Sequence, residues 1–539
     1  MGANIKDQPP ASALGRSDWR NLLLIGAGWL LCVLLMPPTR NFAYVDDWIY
    51  SNAVNDMLQG RGFHPPDLAL VTLVSQVWWG LLFSKLFGYS FTALTWSVLA
   101  LSLVALIAFY LLLRQLGFAS NLSLLGVAIL GVNPLFFNYS YTYMTEVPLL
   151  ACMLLSTLFY LKGLTLLVQE SKAGNSPDPS QLYYFFLLGS LFASLAFLTR
   201  QFGLALPFTA LLWLFWARGL TWQRVVAVAL LPALTIFGYI LWSGSFPITW
   251  ATVYLQAVQG ELFSNPVTAL GFRAITLLYF PPLLGLTIFL FGRVRHWWLV
   301  LCWFVVLLLA TYTVQRLLPQ DIDGPPLNPA RYQWLWLLGM GLAAWWLANL
   351  TERVHLILSK PASIKQPRPV HFIYLLTLIL LLGTFVVSRY LYARYYLPVL
   401  PSVIVAGLLS SHYLVGRRLL VTWLLVALVG LYSVIDHLDI YAYEATQWDA
   451  GLNLVRSGVP INQIYSGFAW NGYFMYDEGL RSKAGKPLSA SDPYPPLLVI
   501  DRKYLVTDAL KRGYRLKQRY PYRSLLSFGE RYVLVLERE

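Results

Sequence analysis

The side chains best suited to chemistry in this sequence include acids at the borders of long apolar runs. Asp46 and Asp47 are adjacent in YVDDWIY, and Glu146 follows Thr145 at the start of an apolar run. A partly desolvated carboxylate can act as a general base toward a hydroxyl, and neighbouring carboxylates shift each other's pKa. Ordinary helix starts use the same residues, because Asp favours the N-cap and acids stabilise the first turn. Both interpretations, catalysis and helix capping, fit the acids.

A few bases occupy comparable positions. Arg200 lies in LTRQFGLALP, Arg389 and Arg394 lie in SRYLYARYYLPVLP, and His64 lies in GFHPPD. Guanidinium groups beside tyrosines suit a phosphate, which arginine can bind through two parallel hydrogen bonds. Arginines near span ends also extend to the lipid headgroups, and His64 can equally be a solvated loop residue. A phosphate site follows only if these bases share one side of the molecule with the acids.

The composition is that of a membrane protein. Hydrophobic residues make up 58% of the 539 residues and charged residues only 12%, against roughly 25% charged residues in soluble domains. Apolar runs of about 20 residues recur, and each can cross a hydrocarbon core of roughly 30 Å as a helix, which predicts about 13 spans. The predicted spans start near Leu22, Phe91, Asn121, Glu146, Leu182, Phe202, Val225, Ile275, Trp297, Tyr332, Phe372, Leu397 and Leu419.

The net charge of +14 follows membrane topology and not nucleic-acid binding. Lys and Arg are scattered at the ends of apolar runs, without a basic cluster or an RNA-binding motif. Because basic loops are retained in the cytoplasm, the N-terminus is predicted to be cytoplasmic, with the short loops that contain Arg114, Arg218, Arg295, Lys365 and Arg417 on the same side. The acids and bases named above then gather on the outer face, where charges at membrane depth indicate a functional site.

Two outer segments are longer than simple connections. Residues 38–90 contain two stretches that predict helices on the outer interface, with Trp78 and Trp79 at headgroup depth. In residues 437–539, GLNLVRSG predicts a helix, and PPLLVI and RYVLVLE predict strands. The predicted fold is an all-α polytopic membrane domain, residues 1–436, followed by a small α/β soluble domain outside the membrane. The first apolar run has no cleavage site after it, so we expect it to stay as an anchor.

At these residues the sequence resembles the multi-spanning GT-C glycosyltransferases, most closely the family 39 type, which includes protein O-mannosyltransferases and bacterial aminoarabinose transferases acting on lipid A. YVDDWIY matches the acidic pair in the first outer loop of that family, and FHPPDL resembles the Lys-Pro-Pro-Leu segment that follows. NPLFFNYSYTYMTEVPLL, LTRQFGLALP and RYYLPVLP resemble three later elements in the same order. The chain carries His64 and Arg200 where Lys is expected, and Glu146 where Asp is frequent.

The resemblance implies a GT-C fold and transfer of a sugar from a polyprenyl-phosphate donor to an acceptor hydroxyl at the outer face. It implies Asp46 as general base and Asp47 as its orienting neighbour, with Glu146 binding sugar or acceptor or tuning Asp46. A single displacement would invert the anomeric centre. The residues expected to stabilise the leaving phosphate, or to bind donor or acceptor, are Arg200 and Arg394, with His64 and Arg389 as additional candidates.

The expected partners are this hexosyl or pentosyl donor, a glycan, lipid or protein acceptor, and membrane lipids, without nucleic acid. The sequence indicates no certain cofactor: the acids can hold a divalent ion, but no spacing demands one. The three cysteines, Cys32, Cys152 and Cys302, lie in apolar runs and have neither metal-ligand nor disulfide spacing. A bacterial plasma membrane is the expected location. The alternative function is a lipid or glycan transporter or flippase, which typically has two related halves and charges near the midplane.

Overall fold

A computed structural model describes most of the chain. The described ranges are 14–64, 68, 71–173, 178–246, 294–317, 333–358, 368–387, 393–409, 416–482, 501–526 and 529–539, together with a few single positions between 253 and 264. The predicted span at Ile275 and the candidate residue Arg389 lie outside these residues.

The described chain is built mainly from α-helices. In chain order they are α1 (Arg16–Leu35), α2 (Asp47–Leu58), α3 (Val74–Phe87), α4 (Phe91–Gln115), α5 (Ser120–Gly131), α6 (Pro134–Ser140), α7 (Glu146–Ala173), α8 (Pro179–Thr199), α9 (Ala205–Trp216), α10 (Trp222–Ser243), α11 (Trp297–Leu317), α12 (Gln333–Leu358), α13 (Pro369–Val387), α14 (Leu400–Leu408), α15 (Arg417–Arg456) and α16 (Gly467–Ser482). Short 3-10 helices are Gln201–Leu204, Ala393–Val399 and Ile461–Gln463.

Membrane-spanning helices dominate this architecture. Among the described residues, six helices are long and apolar enough to cross a membrane, namely α1, α4, α7, α8, α10 and α15. The bent pair α5 and α6 forms a seventh candidate, and shorter apolar helices include α9, α11, α13 and α14. The prediction of a polytopic α-helical membrane protein is therefore confirmed. Apart from Ile275, each predicted start falls within or beside a described helix.

Local capping sets where several spans begin. The side chain of Ser90 accepts a hydrogen bond from the Ala93 N–H at the start of α4, and Thr221 accepts from the Arg224 N–H at the start of α10. At α8, the Asp178 carboxylate accepts from the Ser180 N–H, and Pro179 occupies the first turn. These bonds satisfy N–H groups that lack partners within the helix, so the polar residues between apolar runs fix the helix starts.

The centre of the membrane domain is formed by α4 and α7, with α8 packed on α7 and α10 on α8. In both α4 and α7, 61% of the most apolar 18-residue stretch is buried, against 17% in α10. Close approach in this core depends on small residues: a Cβ on Gly189 would overlap the ring of Tyr160. Helix α10 lies at the periphery of the bundle and leaves residues such as Phe237 exposed, as expected for a lipid-facing helix.

A small sheet follows the last spanning helix. Its strands β1 (Ile464–Tyr465), β2 (Tyr504–Thr507), β3 (Tyr514–Ser524) and β4 (Gly529–Arg538) lie in the order β1-β2-β4-β3. β1 pairs parallel with β2, and β4 pairs antiparallel with both β2 and β3. The strand predicted from RYVLVLE is confirmed as β4, whereas PPLLVI lies outside the described residues.

The 40 residues of α15 connect the spanning helices to this sheet. A helix of that length measures about 60 Å, about twice the thickness of the hydrocarbon core. The domain boundary predicted after residue 436 therefore falls inside a continuous helix, and GLNLVRSG belongs to the end of that helix. The sheet is attached to α15 through Asp439, which accepts hydrogen bonds from Ser524 Oγ (2.6 Å) and from the N–H groups of Leu525 (2.6 Å) and Leu526 (3.2 Å).

Candidate active site

The acidic pair at the start of α2 points in two directions. Asp46 occupies the N-cap position of α2, but its side chain makes no capping hydrogen bond. The residue before it, Val45, has a φ of 51°, which is a left-handed conformation that a β-branched residue rarely adopts. Strained backbone of this kind concentrates at functional sites. The start of α2 is therefore a candidate functional site, and its two carboxylates, which look equivalent in the sequence, have different surroundings.

Asp47 is the buried member of the pair. Its side chain is fully inaccessible, its Oδ2 lies 2.6 Å from Nη2 of Arg40, and its Oδ1 accepts a hydrogen bond from the Tyr44 N–H at 2.6 Å. Full burial raises the pKa of Asp47, while the Arg40 charge and backbone N–H groups of Tyr44 and Tyr143 lower it. These bonds tie the start of α2 to the segment before α7, so Asp47 is placed to hold the structure together.

Asp46 is the more accessible carboxylate. Its side chain is 19% exposed, and its Oδ2 lies 2.9 Å from Nη2 of Arg394. Arg394 lies in the 3-10 helix Ala393–Val399, almost 350 residues along the chain, so only the tertiary fold brings the two together. An accessible carboxylate beside a single guanidinium can still be approached by a hydroxyl.

Glu146 shares the same group of charges. Its Oε1 lies 2.6 Å from Nη1 of Arg200 and 3.6 Å from Nε of Arg394. Nη1 of Arg200 also donates to Thr145 Oγ1 at 3.0 Å. The other oxygen, Oε2, is buried without a hydrogen-bond partner among the described residues. Because an unpaired buried acceptor is costly, Oε2 is well suited to receive a hydrogen bond from a ligand hydroxyl.

An aromatic ring lies beside both arginines of the site. The Cζ of Arg200 is 5.2 Å from the ring centroid of Tyr395, and that of Arg394 is 5.8 Å from it. The ring of Phe202 contacts Arg200 in the same manner at 5.6 Å. Cation–π attraction and the two acids together allow two like charges to lie close to each other. Asp46, Glu146, Arg200 and Arg394 are called the charge cluster below.

The turn after α8 sets the position of Arg200. Arg200 ends α8 in an extended conformation, and Gly203 then lies against the backbone of Ala196 and Phe197, where a Cβ would overlap. The residue before α3 is bonded to the same place, since the Leu73 N–H donates to the Thr199 carbonyl at 3.2 Å. The LTRQFG segment thus needs a glycine to fold back closely enough.

A reciprocal pair of hydrogen bonds positions the segment that leads to Glu146. Gln76 Nε2 on α3 donates to the Tyr143 carbonyl at 3.0 Å, and the Tyr143 hydroxyl donates to the Gln76 carbonyl at 2.8 Å. Gly80 leaves space for the Tyr143 ring, because a Cβ there would overlap the hydroxyl. Helix α3 therefore fixes the start of α7.

The other two candidates from the sequence are His64 and Arg389. His64 is exposed, and its ring packs edge-on against Phe246 with centroids 5.2 Å apart; within the described residues it makes no ion pair with the charge cluster. Arg389 lies outside the described residues. Sequence reasoning also missed Arg40 as the counter-ion of Asp47, although a basic residue seven positions before Asp47 in the same segment between apolar runs is a usable signal.

The charge cluster suits an anion better than a metal ion. Among the described residues, no three His, Cys, Asp or Glu side chains group closely enough to hold a metal ion. Each acid of the charge cluster faces an arginine instead. Two guanidinium groups beside a carboxylate can bind a phosphate and a hydroxyl together.

Part of the chain matches a known family. Residues 75–242 match the family described as dolichyl-phosphate-mannose-protein mannosyltransferase. The resemblance to GT-C glycosyltransferases is confirmed. The match runs from α3 through α10 and includes Glu146 and Arg200, whereas Asp46 and Arg394 lie outside it.

Three solved structures similar to the chain are each 13% identical to it. ArnT from Cupriavidus metallidurans, bound to undecaprenyl phosphate, has a TM-score of 0.44, with 83% of this chain and 74% of that chain covered. The archaeal oligosaccharyltransferase AglB from Archaeoglobus fulgidus has a TM-score of 0.46, with 91% and 69% covered. The S. cerevisiae Pmt1-Pmt2 protein O-mannosyltransferase complex has a TM-score of 0.35, with 43% and 34% covered. No curated protein matches the chain.

Proposed function

We propose that this protein is a glycosyltransferase that acts at the outer face of its membrane and moves a sugar from a polyprenyl-phosphate donor to an acceptor hydroxyl. The observation that carries the proposal is the charge cluster, in which Asp46 pairs with Arg394 at 2.9 Å and Glu146 pairs with Arg200 at 2.6 Å. The matched family, whose name specifies a dolichyl-phosphate-linked mannose donor, supports the donor class.

In the proposed reaction, the acceptor oxygen attacks the anomeric carbon while the bond from that carbon to the phosphate oxygen breaks. Asp46 takes the hydroxyl proton as general base. The electron pair of the broken bond leaves with the polyprenyl phosphate, whose growing charge Arg200 and Arg394 stabilise. Displacement from the opposite side inverts the anomeric centre. Glu146 accepts a hydrogen bond from the sugar or the acceptor through its unpaired Oε2.

Arg394 has two roles in this scheme. In the structure it pairs with Asp46 at 2.9 Å. When a phosphate binds Arg394, it competes with that carboxylate, so donor binding frees Asp46 to act as the base. Asp47 stabilises the start of α2, next to Asp46, through its buried ion pair with Arg40.

The proposed setting is the bacterial plasma membrane, with the N-terminus in the cytoplasm and residues 437–539 outside. The membrane domain of residues 1–436 would supply the site, and the acceptor is a glycan, lipid or protein. Transport by a flippase is the less favoured function, because transporters typically hold such charges near the membrane midplane, whereas the charge cluster is built from helix ends and a 3-10 helix.

The decisive experiment is the Asp46→Asn variant in proteoliposomes. The donors are polyprenyl-phosphate mannose and polyprenyl-phosphate glucose, membranes of a deletion strain supply the acceptor, and released polyprenyl phosphate is measured. We expect turnover to fall about 10²- to 10⁴-fold, the usual contribution of a general base. Asp56→Asn is the matched control, because Asp56 forms only an exposed ion pair with Arg61 in the same loop. Full turnover of Asp46→Asn would overturn the role of Asp46.

A further inference from the structure

The side chain next to the acidic pair contacts the C-terminal domain. Trp48, the second residue of α2, is 1% exposed. Its ring centroid lies 6.0 Å from that of Phe468 and 5.3 Å from that of Tyr476, both on α16. Its Nε1 has no hydrogen-bond partner among the described residues. Packing against α16 therefore holds this indole in place.

Gly472 is the point of closest approach between the two helices. A Cβ built on Gly472 would overlap Cε2 and Cζ2 of Trp48, so any larger residue must displace the indole or the helix. Gly472 is buried inside α16, where glycine weakens a helix by roughly 1 kcal/mol relative to alanine. Glycine at position 472 therefore permits close contact with Trp48, although it weakens the helix.

The opposite side of α16 rests on the last spanning helix. Trp470 of α16 packs on Trp448 of α15, with ring centroids 5.0 Å apart. Gly451 of α15 gives room for the same ring, because a Cβ there would lie 2.8 Å from Trp470. Since α15 is one unbroken helix from Arg417 to Arg456, α16 is held at a fixed height above the membrane domain.

We propose that Gly472 and Trp48 are positioning residues for the transfer reaction, and that the C-terminal domain holds α2 so that Asp46 meets the donor in the correct geometry. This inference rests on the proposed function, in which Asp46 is the base. Trp48 is two residues from Asp46, and the contact chain runs from α15 through α16 to α2. A displacement of about 1 Å at a reacting group can cost about 100-fold in rate.

The test uses Gly472→Ala in the full-length protein in proteoliposomes, with polyprenyl-phosphate mannose and glucose as donors. We expect kcat to fall about 10- to 100-fold while the donor KM changes less than about 3-fold, because the charge cluster itself is intact. The double variant Gly472→Ala/Trp48→Phe keeps an aromatic ring against Phe468 and Tyr476 but replaces the larger indole that the added Cβ would overlap, so its kcat should exceed that of Gly472→Ala several-fold. Gly28→Ala in α1 is the matched control, since nothing lies within 4 Å of its Cβ.

Hydrogen exchange of the peptide covering residues 47–58 gives a readout that does not depend on activity. We expect faster exchange there in Gly472→Ala, recovery in the double variant, and no change in Gly28→Ala. Unchanged kcat and unchanged exchange in Gly472→Ala would overturn the inference, as would a kcat loss that the second substitution does not relieve. If wild-type protein transfers no sugar, the proposed function fails, and unchanged exchange in Gly472→Ala would then also rule out the positioning contact.

Discussion

Two adjacent carboxylates, Asp46 and Asp47, carry identical chemistry but differ in their surroundings. Asp47 is buried and paired with Arg40 and backbone N–H groups, whereas Asp46 is partly accessible beside Arg394. The sequence showed an acid pair, and the family resemblance implied that one member is the base and the other its orienting neighbour. It could not show which charge each acid would face, because those partners come from the folded loop and from a distant 3-10 helix.

Asp47→Asn should damage stability more than Asp46→Asn does. Removing the charge of Asp47 leaves Arg40 buried without a counter-ion, which typically costs about 3–5 kcal/mol. Asp46→Asn leaves Arg394 beside Glu146, so its unfolding midpoint in detergent should stay close to wild type. Thermal unfolding of the purified variants measures both effects. Equal midpoints for the two variants would contradict the structural role of Asp47.

Tyr395 is predicted to support donor binding through its ring. Tyr395→Leu removes the cation–π contacts to Arg200 and Arg394, each worth about 0.5–2 kcal/mol. We expect the KM for the polyprenyl-phosphate donor to rise about 10-fold in initial-rate measurements. Tyr395→Phe keeps the ring and should lose much less. If Leu and Phe have the same effect, the ring is not what orders the two guanidinium groups.

Among the helices, apolar runs predicted the spans well, but not where they bend. The run starting near Asn121 reads as one straight span, yet α5 and α6 meet at 65°. Pro134 begins α6, and the Asn133 side chain accepts a hydrogen bond from the Leu135 N–H at 2.9 Å, so a new helix starts there. Hydropathy is insensitive to such a break, because both halves remain apolar. The proline and the capping Asn are the local signals for it.

The turn at Gly203 offers a test of how helix ends position the site. In Gly203→Ala the added Cβ would meet backbone atoms of Ala196 and Phe197, which cannot rotate away. Overpacking of this kind costs about 1–3 kcal/mol, and relief by a backbone shift would displace Arg200. We therefore expect a lower unfolding midpoint and a reduced kcat/KM. Gly238→Ala in α10 has no neighbour within 4 Å and should behave like wild type.

At the scale of the whole molecule, the site depends on contacts that span nearly the entire chain. Asp46 and Arg394 lie in distant segments, and α15 carries the C-terminal domain back onto α2. The sequence predicted that the acids and bases gather on one face from the alternation of basic loops, and the structure brings four of them together. It could not reveal that the C-terminal domain contacts α2, since no sequence pattern links Trp48 to Gly472.

This arrangement makes a topological prediction for the intact membrane. The orientation expected from the basic loops predicts that residues 38–90, the charge cluster and the C-terminal domain share one side of the membrane, and that the connection between α9 and α10 lies on the other. Single cysteines at Gln59, Lys511 and Gln223, all exposed positions, would be introduced one at a time after replacing the three native cysteines with alanine. The label is a membrane-impermeant maleimide applied to intact spheroplasts.

We expect the cysteines at Gln59 and Lys511 to react in intact spheroplasts and the one at Gln223 to react only after permeabilisation. We expect this pattern because loops rich in Lys and Arg are retained in the cytoplasm, which predicts that the charge cluster lies on the outer face. Labelling of all three in intact spheroplasts would signal leaky membranes, which a cytoplasmic marker protein controls for. Labelling of Gln223→Cys alone would reverse the orientation and place the transfer reaction on the cytoplasmic face.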